Sequence, residues 1–129
     1  SEREARVMEV AVNASSTGTI IDTRGRAAGV RWDSVKCIIT QGGTITRGSE
    51  NSGGSAVTYS VYIKGEYGLG TEIAVENEEI NLDYQTLAYG IQIRFSPGTY
   101  TTNDQYAIEL SSDAVDRPAG LRVAQMIRS

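Results

Sequence analysis

The sequence predicts an all-β fold, an antiparallel β-sandwich or jelly roll of about eight short strands. Three observations lead to this prediction. Apolar residues recur at every second position in several runs, turns containing glycine separate the runs, and no long stretch has the period of an amphipathic helix. A doubly wound α/β fold is excluded, because it needs helices between its strands. The 129 residues are expected to form one domain that buries a core without disulfides.

The first third of the chain is predicted to contain three strands. Residues 6–13 are predicted as a strand because Met8, Val10 and Val12 alternate with other residues, and a turn cluster follows them. Residues 19–22 are predicted to form a second, short strand. The third strand has an alternating apolar row: Val35, Cys37 and Ile39.

The middle of the chain combines a polar loop with the clearest alternation in the sequence. Residues 44–55 are rich in glycine and serine, so they are predicted to form an exposed loop. The strand after the loop has one apolar row: Val57, Tyr59, Val61 and Ile63. Ile73 and Val75 are expected to continue this pattern, and residues 80–82 to form another short strand.

Residues 87–110 are predicted to be the centre of the sheet. In the first predicted strand, residues 87–95, every second residue belongs to one apolar face. The second strand has Tyr106, Ile108 and Leu110 on one side. Pro97 and Gly98 interrupt the run, since proline lacks a backbone donor and glycine permits positive φ. The two strands are therefore expected to pair as a hairpin, with their apolar faces in the core.

The composition excludes several classes of function. A net charge of −4 without a basic cluster argues against nucleic-acid binding. The chain has no histidine and a single cysteine, Cys37, so the common nucleophilic triads and thiolate metal sites are excluded, and we expect no enzymatic activity. No apolar stretch approaches the ~20 residues that span a bilayer, so membrane insertion is not expected. Residues 1–6 are predicted to be a charged N-terminal arm without the apolar segment of a signal peptide.

Carboxylates are the remaining groups that could bind a cofactor. Four of them lie close together in the sequence: Glu76, Glu78, Glu79 and Asp83. They lack the spacing of a calcium loop, and a solvated acidic rim is the simpler interpretation. No cofactor is therefore predicted, with calcium kept as the alternative.

Three tyrosines are candidates for ligand-facing aromatic side chains. Tyr62 lies on the polar face of its predicted strand, whereas Tyr67 and Tyr84 lie in predicted loops. Exposed flat rings can stack on sugars, which would suit a carbohydrate-binding module. The alternative is that these amphipathic rings cover the ends of the sheets and keep their hydroxyl groups in water.

Residues 90–110, GIQIRFSPGTYTTNDQYAIEL, resemble a strand–turn–strand signature of known protein families. Six residues match it: Gly98, Thr99, Tyr100, Asp104, Tyr106 and Ile108. The segment is similar to the outer β-domains of flagellar hook-associated proteins and of phage tail and virion proteins. Those families often have Gly-Asp where this chain has Asn103-Asp104, and asparagine is the next-best residue for positive φ. The resemblance implies a structural β-domain and provides no catalytic motif.

The sequence thus favours a non-catalytic structural subunit or surface module of a virion (phage-like) or extracellular filament. Self-association through sheet edges and terminal segments is expected, and a virion or extracellular location follows from it. The candidate contacts form an apolar row near the C-terminus: Leu121, Val123, Met126 and Ile127. The alternative function is a carbohydrate-binding, lectin-like module that uses exposed tyrosines, with or without calcium.

Overall fold

A computed structural model describes residues 5–25, 33–47, 56–64 and 71–110. These residues form ten strands, and no helix among them is long and apolar enough to cross a membrane. The strands are β1 (Ala5–Ala11), β2 (Ile20–Arg24), β3 (Asp33–Gln41), β4 (Gly43–Ile45), β5 (Thr58–Lys64), β6 (Thr71–Glu79), β7 (Tyr84–Ala88), β8 (Ile91–Phe95), β9 (Gly98–Tyr100) and β10 (Gln105–Leu110).

The strands form three antiparallel sheets. The largest has five strands in the order β1-β10-β3-β5-β6, the second has three in the order β2-β8-β7, and β4 pairs with β9. Every adjacent pair is antiparallel. The predicted all-β antiparallel class is confirmed and the sheets are consistent with a β-sandwich, with ten strands among the described residues rather than about eight.

The two larger sheets share one hydrophobic core. The predicted alternation of β3 and β5 is confirmed, since Cys37, Tyr59 and Val61 are fully buried. The Tyr59 ring of the five-stranded sheet lies 5.0 Å from the Phe95 ring of the three-stranded sheet, and its hydroxyl donates to the Thr86 carbonyl at 2.7 Å. Ile91 and Ile93 from β8 are buried in the same cluster, so side chains from both sheets fill the space between them.

The predicted single strand over residues 87–95 is wrong, because the chain turns back on itself in the middle. Tyr89 and Gly90 both have positive φ, 56° and 89°, and Ala88 pairs directly with Ile91. Positive φ at both central residues matches a type I′ hairpin turn. The pairing also shifts register between Thr86 and Ala88. Because of this bulge at Leu87, Leu87 and Ile91 both point inward and the sequence pattern continues across the turn.

The predicted hairpin between the two strands of residues 87–110 is also wrong. β8 belongs to the three-stranded sheet and β10 to the five-stranded sheet, and β9 between them pairs with β4. Part of the predicted loop at residues 44–55 is therefore strand, and Ile45 is buried. Residues 48–55 lie outside the described residues. The expected positive φ of Asn103 is confirmed at 77°.

The apolar row that predicted β1 lies only partly in the core. Met8 and Val10 are 38% and 57% exposed, whereas Val12 from the same row packs against the core, as do Ala5 and Val7. The strand also begins at Ala5, so part of the expected N-terminal arm belongs to the sheet.

Two further expectations fail around β6. Ile73 is 54% exposed and pairs across from Tyr62 on the outer face of the sheet. Residues 80–82 do not form a strand: Ile80 is buried just after β6, and Leu82 has a φ of 64°.

Candidate interaction surface

The candidate surface is the side of the molecule where β1 and β2 lie next to each other, called here the β1–β2 side. β1 is the last strand of the five-stranded sheet and β2 the last strand of the three-stranded sheet among the described residues. An open groove of about 420 Å³ runs between them. The groove is lined by Ala5, Val7, Ile20, Ile21, Asp22 and Thr23.

Most of the large apolar side chains that reach the surface lie on this side. Four such side chains are exposed in the described part of the chain, and Met8, Val10 and Ile21 are on β1 and β2. Ile21 is 51% exposed whereas Ile20 is buried, because consecutive residues of a strand point to opposite faces. The pairing of β2 with β8 also shifts register between Ile20 and Asp22.

A buried carboxylate holds the β1–β2 side against the rest of the molecule. Asp104 is 2% exposed. Its two oxygens accept bonds from the Asn13 amide at 2.9 Å, the Ser16 hydroxyl at 2.7 Å and the Thr101 amide at 2.9 Å. The loop between β1 and β2, residues 12–19, is therefore joined to the turn between β9 and β10. Hydrogen bonds to an ionised group are stronger than neutral ones, so this clamp fixes where both edge strands begin and end.

The same loop is fixed by close packing on Tyr100. A Cβ at Gly18 would lie 2.3 Å from the Tyr100 ring, so only glycine fits there. The Tyr100 hydroxyl donates to the carbonyls of Ser96 at 2.6 Å and Thr19 at 3.2 Å. Burial raises the pKa of Tyr100 to about 12.

A charged cluster on the outer face of the three-stranded sheet lies beside the groove. The Tyr84 hydroxyl donates to the Asp22 carboxylate, and Arg94 Nη2 is 3.1 Å from the same carboxylate. The hydrogen bond from Tyr84, followed by the charge of Arg94, lowers the pKa of Asp22, and the same hydrogen bond raises the pKa of Tyr84. The guanidinium of Arg24 lies 4.0 Å from the centre of the Tyr84 ring. Its Nε donates to Gln92 at 2.8 Å.

The structure separates the tyrosines proposed as ligand-facing. Tyr62 is half-buried on the outer face of the five-stranded sheet, where it pairs across from Lys36. Tyr84 is on the other large sheet, in β7 rather than in a loop, and its ring is already in contact with Arg24. Tyr67 lies outside the described residues. The two tyrosines that are described therefore do not form a common patch for a sugar.

The opposite side of the molecule, where β6 and β7 end the two sheets, is acidic. Glu76, Glu78 and Glu79 are exposed, and so are Glu72 and Asp83. The predicted solvated acidic rim is confirmed in this respect. No group of three histidine, cysteine or acidic side chains in the described ranges is arranged to hold a metal ion.

The candidate assembly contacts predicted from the sequence, Leu121, Val123, Met126 and Ile127, lie outside the described residues. Sequence reasoning missed the exposed position of Ile21, although the pair Ile20-Ile21 was a signal, because one of two neighbours in a strand points outward. It also missed Asp104 as a clamp. Two of its partners, Asn13 and Ser16, are 91 and 88 positions away in the sequence, and alternation within one strand does not reveal contacts at such separation.

Comparisons with family models, curated proteins and solved structures found no match for the chain.

Proposed function

We propose that the chain is a non-catalytic structural subunit or surface module of a virion (phage-like) or an extracellular filament, and that it associates with copies of itself. The observation that supports this most is the β1–β2 side, where two sheet edges lie together and three large apolar side chains are exposed. An edge strand with apolar side chains is a template for another strand. Strand addition satisfies its backbone groups and covers its side chains in one step.

The two edges of the five-stranded sheet differ in a way that supports this proposal. Proteins commonly protect sheet edges with charged side chains, and β6 has such protection in Glu72, Glu76 and Glu78. Exposed positions of β1 include Met8 and Val10 beside the charged Arg6 and Glu9, so its edge is less charged than that of β6. This difference favours β1 over β6 as the edge to which another strand would add.

The alternative, a carbohydrate-binding module, has less support. Sugar stacking needs an open aromatic face. The Tyr84 ring has the Arg24 guanidinium 4.0 Å from its centre, and Tyr62 is on a different sheet. A glycan array and a calcium titration test this alternative directly.

Size-exclusion chromatography with light scattering, over a range of protein concentrations, tests the proposal. The unmodified chain is expected to form oligomers or polymers. Changing both Val10 and Ile21 to lysine is expected to shift it towards monomer, because charge opposes apolar association at an edge. Ile73→Lys is the matched control, since Ile73 has nearly the same exposure on the acidic edge. A chain that stays monomeric at high concentration contradicts the proposal.

A further inference from the structure

We infer that the groove between β1 and β2 binds residues 120–127 of a neighbouring copy as an additional antiparallel strand on the edge of β1. This inference rests on the proposed function and names the partner of the same surface. Three observations support it: the character of the groove, the pattern of the segment, and the place where the described part of the chain ends.

The groove has the side chains that an apolar strand needs as neighbours. Val7 and Ile20 line it from the two sheets, and Ile21 projects at its mouth with 51% of its surface exposed. Val10 extends the exposed apolar surface along β1. A strand added to this edge would cover these groups and provide partners for the backbone of β1.

The segment 120–127 has the alternating pattern that this edge would select. Its sequence, GLRVAQMI, has Leu121, Val123 and Ile127 at every second position apart from Gln125. A strand with this pattern presents one apolar face. Two positive charges, Arg122 within the segment and Arg128 just after it, suit a protein whose net charge is −4.

The geometry of the chain favours a neighbouring copy over the same copy. β10 ends at Leu110, which pairs with Ala5 at the beginning of β1. A segment that returned from this point directly along β1 would run parallel to it, and parallel pairing is slightly less stable per residue than antiparallel pairing.

The length of the connection leads to the same preference. To pair antiparallel, residues 111–119 would first have to travel to the far end of β1 at Ala11. A seven-residue strand is about 23 Å long, and nine residues reach about 30 Å only when fully extended. Every strand pair described in this chain is antiparallel. A neighbouring copy can supply the antiparallel strand without this constraint.

Cross-linking between two separately tagged full-length chains tests the inference. One chain has Ile21→Cys and the other Val123→Cys, and a short bis-maleimide joins thiols that lie close together. Cys37 is fully buried and burial raises the pKa of its thiol, so it stays unreactive in both chains. Ile73→Cys on the acidic edge is the matched control, and Val10→Cys is a second reporter in case the Ile21 variant folds poorly. Circular dichroism verifies the fold of each variant.

The expected result is a cross-linked heterodimer from Ile21→Cys or Val10→Cys that exceeds the Ile73→Cys product by about tenfold or more, because binding raises the effective concentration of the two thiols. Oligomers that give equal products at Ile21 and Ile73 overturn the inference and leave the proposed function standing. Chains that stay monomeric in light scattering overturn the proposed function. A single chain with both Ile21→Cys and Val123→Cys provides a further check. If this chain stays monomeric and forms only an intramolecular cross-link, the groove binds the segment of its own copy and the assignment to a neighbour is wrong.

Discussion

The β1–β2 side and the β6–β7 side both close the same two sheets, yet they differ in almost every respect that matters for association. The first has an open groove and exposed apolar side chains. The second has a row of glutamates, and the chain connects its two strands through only four residues, Ile80 to Asp83. Since charged edges resist strand addition and apolar edges invite it, the proposed function places association on the first side and protection on the second.

The two sides are also held by different buried polar groups. On the β1–β2 side the Asp104 carboxylate accepts three hydrogen bonds, from Asn13, Ser16 and Thr101. On the other side the buried amide of Gln85 donates to Glu79 and Glu78 and accepts from the Asn81 amide, at distances of 2.8, 2.8 and 3.0 Å. The β1–β2 side is therefore held by a charged carboxylate, and the β6–β7 side by a neutral amide.

The largest expected effect comes from the strand that supports both sides. Ile93 is fully buried in β8, which lies between β2 and β7. Ile93→Ala is expected to lower the free energy of unfolding by about 2–5 kcal/mol, because it removes buried methyl groups and leaves a cavity. Urea melts measure this loss, and hydrogen exchange should show both sides losing protection together. Ile21→Ala, on the neighbouring strand but exposed, should stay within about 0.5 kcal/mol.

Asp104→Ala is expected to affect the β1–β2 side selectively. It leaves the amides of Asn13 and Thr101 and the Ser16 hydroxyl without their acceptor, and each buried group left unpaired costs about 1–3 kcal/mol. Because water can reach part of this loop, we expect a total loss of about 3 kcal/mol. Hydrogen exchange of β1 and β2 amides should accelerate more than exchange of β6 and β7 amides.

Gln85→Ala is the matched control for Asp104→Ala. It removes three hydrogen bonds of a neutral group, so a smaller loss of about 1–3 kcal/mol is expected. In this variant, faster hydrogen exchange should be concentrated at the backbone amides of β6 and β7. An equal pattern of exchange in the two variants would show that the sides are not held independently.

The hydrogen bonds of Asp104 and Gln85 could not be predicted from the sequence. Alternation within single strands identified the all-β class and the buried rows of β3 and β5, because one apolar face of a strand must pack on something. The sequence did not show which strands become neighbours. β8 and β10, 10 residues apart at their nearest ends, belong to different sheets, and the contacts of Asp104 with Asn13 and Ser16 join distant parts of the chain.

The interaction surface shows the same limit. Met8 and Val10 belong to the alternating row from which a strand was predicted, and such a row is typical of a core face. They are exposed because the register of β1 turns Val7 and Ala5 to the core instead, and a shift of one residue exchanges the two faces of a strand. The sequence did not reveal the hairpin turn at Tyr89-Gly90 for a related reason, since the register shift between Thr86 and Ala88 restores the alternation that the turn interrupts.

Alkaline pH provides a further comparison of the two sides. Tyr100 and Tyr106 lie under the β1–β2 loop, where their hydroxyls donate to the loop carbonyls, and Tyr59 donates to β7. Burial raises the pKa of all three, that of Tyr100 to about 12. An unfolded tyrosine ionises near pH ~10, so above that pH the unfolded chain binds fewer protons and stability falls as the pH rises.

Tyr100→Phe tests this dependence. At pH 7 the variant is expected to lose about 1 kcal/mol, because the Ser96 and Thr19 carbonyls lose their donor. Between pH 10 and 12 its stability should fall less steeply than that of the unmodified chain, because one titrating group has been removed. Urea melts at a series of pH values measure both effects, and identical slopes would contradict the assignment.

The smallest effect is expected from neutralising the acidic rim. Glu78 and Glu79 are exposed on the edge of β6, and surface substitutions away from special features usually change stability by less than about 0.5 kcal/mol. Glu78 accepts a bond from Gln85, but the amide oxygen of Glu78→Gln can accept the same bond. The double variant Glu78→Gln with Glu79→Gln should therefore keep both its stability and its state of assembly in urea melts and light scattering. New, larger oligomers of this variant would show that the two charges had been protecting the β6 edge, while loss of assembly would place the association surface on the acidic side rather than at β1 and β2.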